Sequence, residues 1–279
     1  MRIDSHQHFW KLGLHDYNWL TPDLTEIYRD VSPADLRPIL DPLNIDGTIA
    51  VQADPSEAET DYLLKLADTH NWILGVVGWV DMELPSAVAS INRLAQNPKF
   101  VGIRPAIQSM DDDDWMLRPS LAPAINALIE KNLCFDALVL PRHLKPLRKF
   151  LDRYPNLRVV IDHGAKPEIA AGHFDSWAAD ITDVAQNSSS MCKLSGLVTE
   201  AGEFWNLDKI TPYANHILNS FGPNRTMFGS DWPVVDLAFD YQGWTLAVNK
   251  LCHGYSKVEK ANILGNTAHR FYLANRMEL

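Results

Sequence analysis

Three short stretches of this chain group side chains that bind metals, polarise carbonyls or move protons. Asp4-Ser5-His6-Gln7-His8 sets two imidazoles two residues apart. Side chains alternate along an extended strand, so His6 and His8 share a face if the strand runs through them. Two imidazoles converging at a strand end bind a divalent cation or polarise a carbonyl. Two unrelated surface histidines near a terminus are the competing reading. Asp162-His163-Gly164 follows an apolar run that belongs in a core. A polar group there needs a partner, which a purely structural hydrogen bond also supplies. Lys166 follows closely, either as a cation at the same strand end or as a solvated loop lysine. Phe228-Gly229-Ser230-Asp231-Trp232-Pro233 closes another apolar run. Asp231 beside histidines ligates a metal or takes a proton from water, whereas aspartate also caps and turns.

These residues need elements to bring them together. Short apolar or β-branched runs alternate with longer amphipathic stretches. The expected strands are Arg2–Ser5, Gly47–Gln52, Ile73–Val80, Phe100–Arg104, Leu133–Leu138, Leu157–Asp162, Met191–Ser195 and Thr226–Gly229. Helical spacing recurs in Leu63, Leu64 and Ala67 after an acidic Ser56-Glu57-Ala58-Glu59 start. It recurs in Leu121, Ile125, Leu128 and Ile129, and again in Leu144, Leu147, Phe150 and Leu151. Eight strands separated by helices predict an α/β fold, a (β/α)8 barrel. An open doubly wound sheet is the alternative, but the polar residues close many strands and do not gather at one switch point. No linker interrupts the sequence, so one domain is expected over residues 1–279, with Ser256–Ala274 as C-terminal helices.

Composition narrows the partners. The chain has 25 Lys+Arg against 35 Asp+Glu, a formal charge of −10, which argues against a nucleic-acid binder. The 46% hydrophobic and 22% charged fractions are those of a globular chain, not a disordered one. Cys134, Cys192 and Cys252 lie too far apart for a CxxC pair, and an odd, sparse count suits a reducing compartment. No signal-peptide core and no membrane-length apolar run is present, so a cytoplasmic location without membrane partners is expected. Neither a P-loop nor GxGxxG occurs, and no GxSxG elbow supports serine catalysis. Nothing in the composition sets an oligomeric state.

Taken in order, Asp4-Ser5-His6-Gln7-His8-Phe9-Trp10, Gly102-Ile103-Arg104, Asp162-His163-Gly164-Ala165-Lys166-Pro167, Lys193-Leu194-Ser195-Gly196-Leu197 and Phe228-Gly229-Ser230-Asp231-Trp232-Pro233 resemble the amidohydrolase superfamily. The resemblance is to its sugar-lactonase branch, hydrolases of L-fuconolactone and L-rhamnonolactone. It implies a (β/α)8-barrel enzyme that opens a small-molecule lactone. It also implies that His6, His8, His163 and Asp231 form the metal site if one divalent ion, zinc by precedent, binds. Some members of this branch need no metal, and no organic cofactor is implied. Dinuclear relatives carry a bridging lysine or glutamate on strand five. Here Leu133-Cys134-Phe135-Asp136-Ala137-Leu138 has no lysine or histidine, which argues against a carbamylated-lysine centre.

By the same resemblance, Asp231 is the general base and later returns a proton to the leaving alkoxide. His6, His8 and His163 polarise the carbonyl. Arg104 at the end of strand four can donate to substrate oxygens or form an internal ion pair. Gln52 and Trp79, at the ends of strands two and three, are candidates for binding hydroxyls and a sugar face. Trp10 and Trp232 are candidate pocket walls, and Lys166 a candidate substrate contact. The Asp111–Asp114 run with Trp115 is read as a solvated loop or a lid. His15 is a further loop residue that can approach substrate, while His143, His173, His216 and His253 fall in expected helices or helix starts and read as structural or surface residues. Competing functions are hydrolysis of an aromatic-pathway lactone such as a pyrone dicarboxylate or muconolactone, metal-dependent decarboxylation, and ligand binding without turnover.

Overall fold

The computed structural model describes residues 1–274. Eight strands, β1 (Ile3–Gln7), β2 (Gly47–Val51), β3 (Ile73–Gly78), β4 (Phe100–Ile103), β5 (Cys134–Ala137), β6 (Arg158–Ile161), β7 (Met191–Leu194) and β8 (Thr226–Phe228), pair in strict chain order. Every pairing is parallel. The seam between β8 and β1 is closed by a parallel bridge, Gln7 to Trp232, just beyond β8. This is the expected (β/α)8 barrel; consecutive order leaves no switch point, so the doubly wound alternative falls. The single-domain expectation extends through residues 275–279, which lie outside the described residues.

The helices are α1 (Pro33–Leu40), α2 (Glu57–Thr69), α3 (Ala87–Leu94), α4 (Ala122–Glu130), α5 (Leu144–Arg153), α6 (Asp175–Gln186), α7 (Leu197–Glu200), α8 (Leu207–Phe221), α9 (Tyr241–Leu251), α10 (Lys257–Ala261) and α11 (Thr267–Tyr272). Helix α2 starts where expected: the Ser56 side chain accepts from the Glu59 amide, and Glu57 and Glu59 occupy the first turn. It buries Leu63, Leu64 and Ala67. On α5 the buried stripe is Leu144, Leu147, Phe150 and Leu151. On α4 the stripe keeps Ile125 and Leu128, while Ile129 is only partly covered. No helix among the described residues is long and apolar enough to cross a membrane.

Apolar side chains form two shells. The larger lies between strands and helices. The smaller fills the lower barrel interior with Ile3, Ile49, Val77, Val101, Val160 and Met227, joined by Phe271 and Tyr272 of α11. The C-terminal segment closes that end: a side chain on Gly265 would strike the Met1 carbonyl and the Ile3 amide. Each fully buried large apolar side chain contributes roughly 1.5–3 kcal/mol.

One strand departs from simple alternation. Ile3 and His6 are three apart and should face opposite ways. The β1–β2 register slips between Asp4 and Gln7, so Ile3 joins the interior cluster and His6 the polar layer above it. Strand β1 also runs on to Gln7, past the expected end at Ser5.

Candidate active site

The upper barrel interior holds a buried polar cluster beneath a cavity of ≈ 330 Å³. His6 and His8 come from β1 and the residue after it, His163 from the turn after β6, and Asp231 from the turn after β8. The seam binds these residues by their own backbones. The Asp231 amide donates to the His6 carbonyl and the His8 amide to the Trp232 carbonyl, both at 2.8 Å. His163, Gly164, Ala165 and Lys166 all have φ between 49° and 63°, and Asp231 has φ 60°. Left-handed backbone at non-glycine residues costs about 1 kcal/mol or more each and concentrates at functional sites. Gly196 is needed here: a Cβ on it would lie 2.6 Å from His163 Nδ1.

Three imidazoles surround one carboxylate oxygen. Asp231 Oδ1 is 3.3 Å from His8 Nε2, 3.6 Å from His6 Nε2 and 3.8 Å from His163 Nε2. His6 Nε2 and His8 Nε2 are 3.2 Å apart. His8 Nδ1 is 2.8 Å from the Val51 carbonyl, which only accepts, so His8 carries its proton there and turns a lone pair inward. Ser195 Oγ lies 2.8 Å from His163 Nδ1. Tetrahedral ligands at about 2.0–2.1 Å from a zinc ion stand roughly 3.3–3.4 Å from one another. The four donors therefore have the chemistry and spacing to hold one divalent cation, and His6, His163 and Asp231 offer ligand atoms within 4.8 Å of one another.

Electrostatics set the protonation. Burial pushes His6 and His8 below the ordinary imidazole value, and Lys193 adds to the effect on His6. Burial lowers His163 to about 4. All three rings are thus neutral at pH 7. Burial works against ionising Asp231, but in acid, where the imidazoles gain protons, the charge of His163, a hydrogen bond from His8 and the charge of His6 outweigh it and hold the carboxyl below the usual range. Asp231 is therefore a carboxylate at neutral pH, the form a general base requires.

Beneath the imidazoles lies a charge cluster that sequence reasoning passed over. Lys193 of β7 is fully buried, with Nζ 2.5 Å from Asp136 Oδ2, 2.9 Å from Asp162 Oδ1 and 3.0 Å from His6 Nδ1. Burial opposes its charge, but the two carboxylates prevail and keep it protonated. The Tyr272 hydroxyl donates to Asp136 at 2.7 Å. The strand-five carboxylate is thus engaged by a strand-seven lysine. A charged residue at an inward position of an otherwise apolar strand, Met191-Cys192-Lys193-Leu194, was the available signal.

Other sequence candidates separate into two groups. Arg104, Gln52 and Lys166 line the cavity. Arg104 donates to the Gln52 carbonyl and stands 3.5 Å from Asp162 Oδ2, while Gln52 Nε2 donates to the Arg104 carbonyl at 2.8 Å. Lys166 Nζ is 3.2 Å from Gln108 Oε1 and 3.3 Å from Glu200. Trp10, Trp79 and Trp232 are not among the residues lining the cavity. Trp10 donates its indole N–H to the Arg29 carbonyl, Trp232 packs on Phe9, and Trp79 is half-buried with its amide bonded to Thr60. Trp232 follows Asp231 directly and packs away from it on Phe9, while Trp10, two residues after His8, is held outside the cavity by its bond to Arg29. The aromatic wall is Trp19, whose indole N–H donates to the Ala53 carbonyl at 2.8 Å, with Asn18, Gln108 and Ser109 also lining the space.

The acidic loop is pinned. Asp112 pairs with Arg118, and Asp113 with Arg142 at 2.7 Å. Trp115 is buried and donates to Glu83, so it packs inward without reaching the cavity. His15 lies against Tyr17 and Tyr62, also off the cavity. His143 is buried and accepts from the Leu140 amide, His173 pairs with Glu168, His216 meets Thr182, and His253 is exposed.

Comparison with known proteins agrees with this geometry. The amidohydrolase family matches residues 3–273. An L-fucono-1,5-lactonase of Burkholderia ambifaria is 43% identical over 279 residues, 99% of this chain and 96% of that protein. A second L-fucono-1,5-lactonase, from Burkholderia multivorans, is 34% identical over 98% of this chain and 96% of its own. A crystal structure of a Burkholderia multivorans amidohydrolase with bound zinc superposes with a TM-score of 0.91 at 34% identity, covering 98% of this chain and 99% of the other. With the matching barrel and the imidazole–carboxylate cluster at its mouth, the chain belongs to the amidohydrolase family.

Proposed function

We propose that this enzyme hydrolyses a 6-deoxy aldonolactone of the L-fuconolactone or L-rhamnonolactone type, with Asp231 as the base. The observation that carries the reading is Asp231 at the cavity floor, ringed by three imidazoles beside Arg104. Asp231 takes a proton from water as the water oxygen adds to the lactone carbonyl. The Arg104 guanidinium and the histidine cluster face the oxygen on which negative charge develops. The carbon–oxygen ring bond then breaks, and the proton held on Asp231 passes to the leaving alkoxide. A divalent ion, zinc by analogy with the zinc-bound relative, would be held by His6, His8, His163 and Asp231 and would supply Lewis-acid polarisation of the carbonyl.

The cavity walls suit the substrate class. Trp19, Pro55, Leu138 and Val234 offer apolar faces for ring carbons and a methyl group. Gln52, Gln108, Ser109 and Lys166 offer partners for hydroxyls. A dianionic aromatic-pathway lactone fits less well: Arg104 and Lys166 are the lining cations, and Lys166 is paired with Glu200. The named lactonase relatives favour hydrolysis over decarboxylation or binding alone. A cytoplasmic role in carbohydrate metabolism is in keeping with sparse, buried cysteines, which suit a reducing compartment, and with the lactonase relatives.

The test is a pH-indicator screen over stereoisomeric aldonolactones, repeated after chelation, because each ring opening releases a proton. Turnover of a 6-deoxy 1,5- or 1,4-lactone is expected. Turnover confined to a pyrone dicarboxylate, or no turnover across the panel, would overturn the proposal.

A further inference from the structure

The buried ammonium of Lys193 has three N–H donors and no acceptor. It has three partners to match: Asp136 Oδ2 at 2.5 Å, Asp162 Oδ1 at 2.9 Å and His6 Nδ1 at 3.0 Å. If His6 carried its proton on Nδ1, two donors would oppose each other at 3.0 Å in a site with no water-exposed surface. One ammonium hydrogen would also be left without a partner, a costly defect for a buried charge. Arg104 makes the opposite demand, since its Nη1 lies 3.3 Å from His6 Nε2. That nitrogen has another acceptor in Asp162 Oδ2 at 3.5 Å, and Nη2 donates to the Gln52 carbonyl. The third hydrogen of Lys193 has no such alternative.

From these fixed ends the polarity of the whole chain follows. Lys193 donates to His6 Nδ1, so neutral His6 carries its proton on Nε2. That proton points to His8 Nε2, 3.2 Å away. His8 in turn donates from Nδ1 to the Val51 carbonyl at 2.8 Å. Donor and acceptor alternate along this path; set against it are the protonated His6 Nε2 facing Arg104 Nη1 and the His8 Nε2 lone pair facing Asp231 Oδ1, each at 3.3 Å. A metal at the cage, however, needs the His6 Nε2 lone pair. His6 then has to place its proton on Nδ1, where Asp162 Oδ1, 3.5 Å away, is the ready acceptor. Metal-bound histidines usually donate their other N–H to a carboxylate or carbonyl.

We infer that Lys193 is a positioning residue that holds His6 in the tautomer unable to ligate a metal, and that Asp162 is the partner His6 uses when a metal is bound. The pair behind His6 thereby sets how tightly the cage holds a divalent cation. This goes beyond the lactonase reading and does not depend on which lactone is opened.

Two measurements, neither based on turnover, test it. In metal-free wild-type protein labelled with [15N]histidine, long-range proton–nitrogen correlation is expected to show His6 protonated on Nε2 and His8 on Nδ1. A His6 signal protonated on Nδ1 overturns the inference. Zinc affinity is then measured by competition with a chromophoric chelator. The Lys193→Met/Asp136→Asn double variant, which removes one charge of each sign, is expected to bind zinc ~10-fold more tightly than wild type. Asp162→Asn is expected to bind it ~10-fold more weakly. Unchanged or weaker zinc binding by a folded double variant overturns the inference. If that variant does not fold, the wild-type spectrum decides the question alone.

Discussion

The lower and upper halves of the barrel interior are equally shut off from solvent and opposite in chemistry. The lower half is Ile3, Ile49, Val77, Val101, Val160 and Met227, sealed by α11. Above it, Lys193, Asp136, Asp162 and His6 are likewise fully buried. Tyr272 spans the boundary, packed into the apolar cluster while its hydroxyl donates to Asp136. Apolar burial stabilises the lower half outright. Buried ion pairs recover their desolvation cost poorly, and apolar replacements of equal volume are often neutral or stabilising. Stability therefore does not account for the upper layer; positioning imidazoles and a carboxylate does. The contrast separates a half that keeps the fold from a half that the proposed chemistry would use.

The sharpest separation is expected from Asp231→Asn. Turnover of the preferred lactone should fall by about 10⁴-fold, roughly 5.5 kcal/mol of barrier, with the melting temperature nearly unchanged. Steady-state kinetics beside thermal melts check this, and a large loss of stability would break the division of labour. The next effect is in pH. The lower half contains no carboxylate or imidazole among the residues named above, whereas Glu59 supports the loop bordering the cavity by accepting from the Ala53 and Asp54 amides. Burial pushes Glu59 up to about 8 from 4.5, with the backbone hydrogen bonds only partly offsetting it. The folded chain then keeps a proton that the unfolded chain releases. The stabilisation is complete below about pH 4.5 and is lost as pH rises through 8, by at most roughly 5 kcal/mol. Denaturant titrations from pH 5 to 9 should show this fall, and Glu59→Gln should flatten it.

The reverse experiment acts on the lower half. Phe271→Ala should cost about 3 kcal/mol of stability by leaving a cavity, while kcat/KM at 25 °C stays within about twofold. A comparable loss in kcat/KM would show that the two halves are mechanically coupled through Tyr272. The smallest effect belongs to the cavity wall. Trp19→Ala should raise KM about 10-fold at unchanged kcat, worth about 1.4 kcal/mol of binding. A fall in kcat instead would move Trp19 from the wall into the catalytic layer.

The architecture was readable because parallel strands covered on both sides leave apolar β-branched runs, such as Thr48-Ile49-Ala50-Val51, between amphipathic stretches. His6, His8, His163, Asp231, Arg104, Gln52 and Lys166 stood out as polar residues closing such runs, and they meet at one cavity and its floor. Trp10 and Trp232 were placed by nearness to His8 and Asp231 in sequence and Trp79 by its position near a strand end, but beyond the strands the chain path, which no alternation describes, carries these rings off the cavity. Trp19, Asn18, Gln108 and Ser109 lie on loops whose paths no periodicity encodes. The slip in β1 was hidden because a bulge leaves no mark in composition, yet it turns His6 inward.

The seam that joins the first strand to the last has a consequence in time. His8 and Asp231 are separated by 223 residues of chain. During synthesis at about 5–20 residues per second, the two histidines leave the ribosome first and wait roughly 10–45 s for their carboxylate. Until then β1 has one edge with no strand to close it. The last strand to be made completes the hydrogen bonding of the first and the imidazole–carboxylate cluster together. If Asp231 is the base proposed above, a truncated or stalled chain that stops short of β8 is inert, and lactone turnover by a growing polypeptide reports that its synthesis has passed that strand.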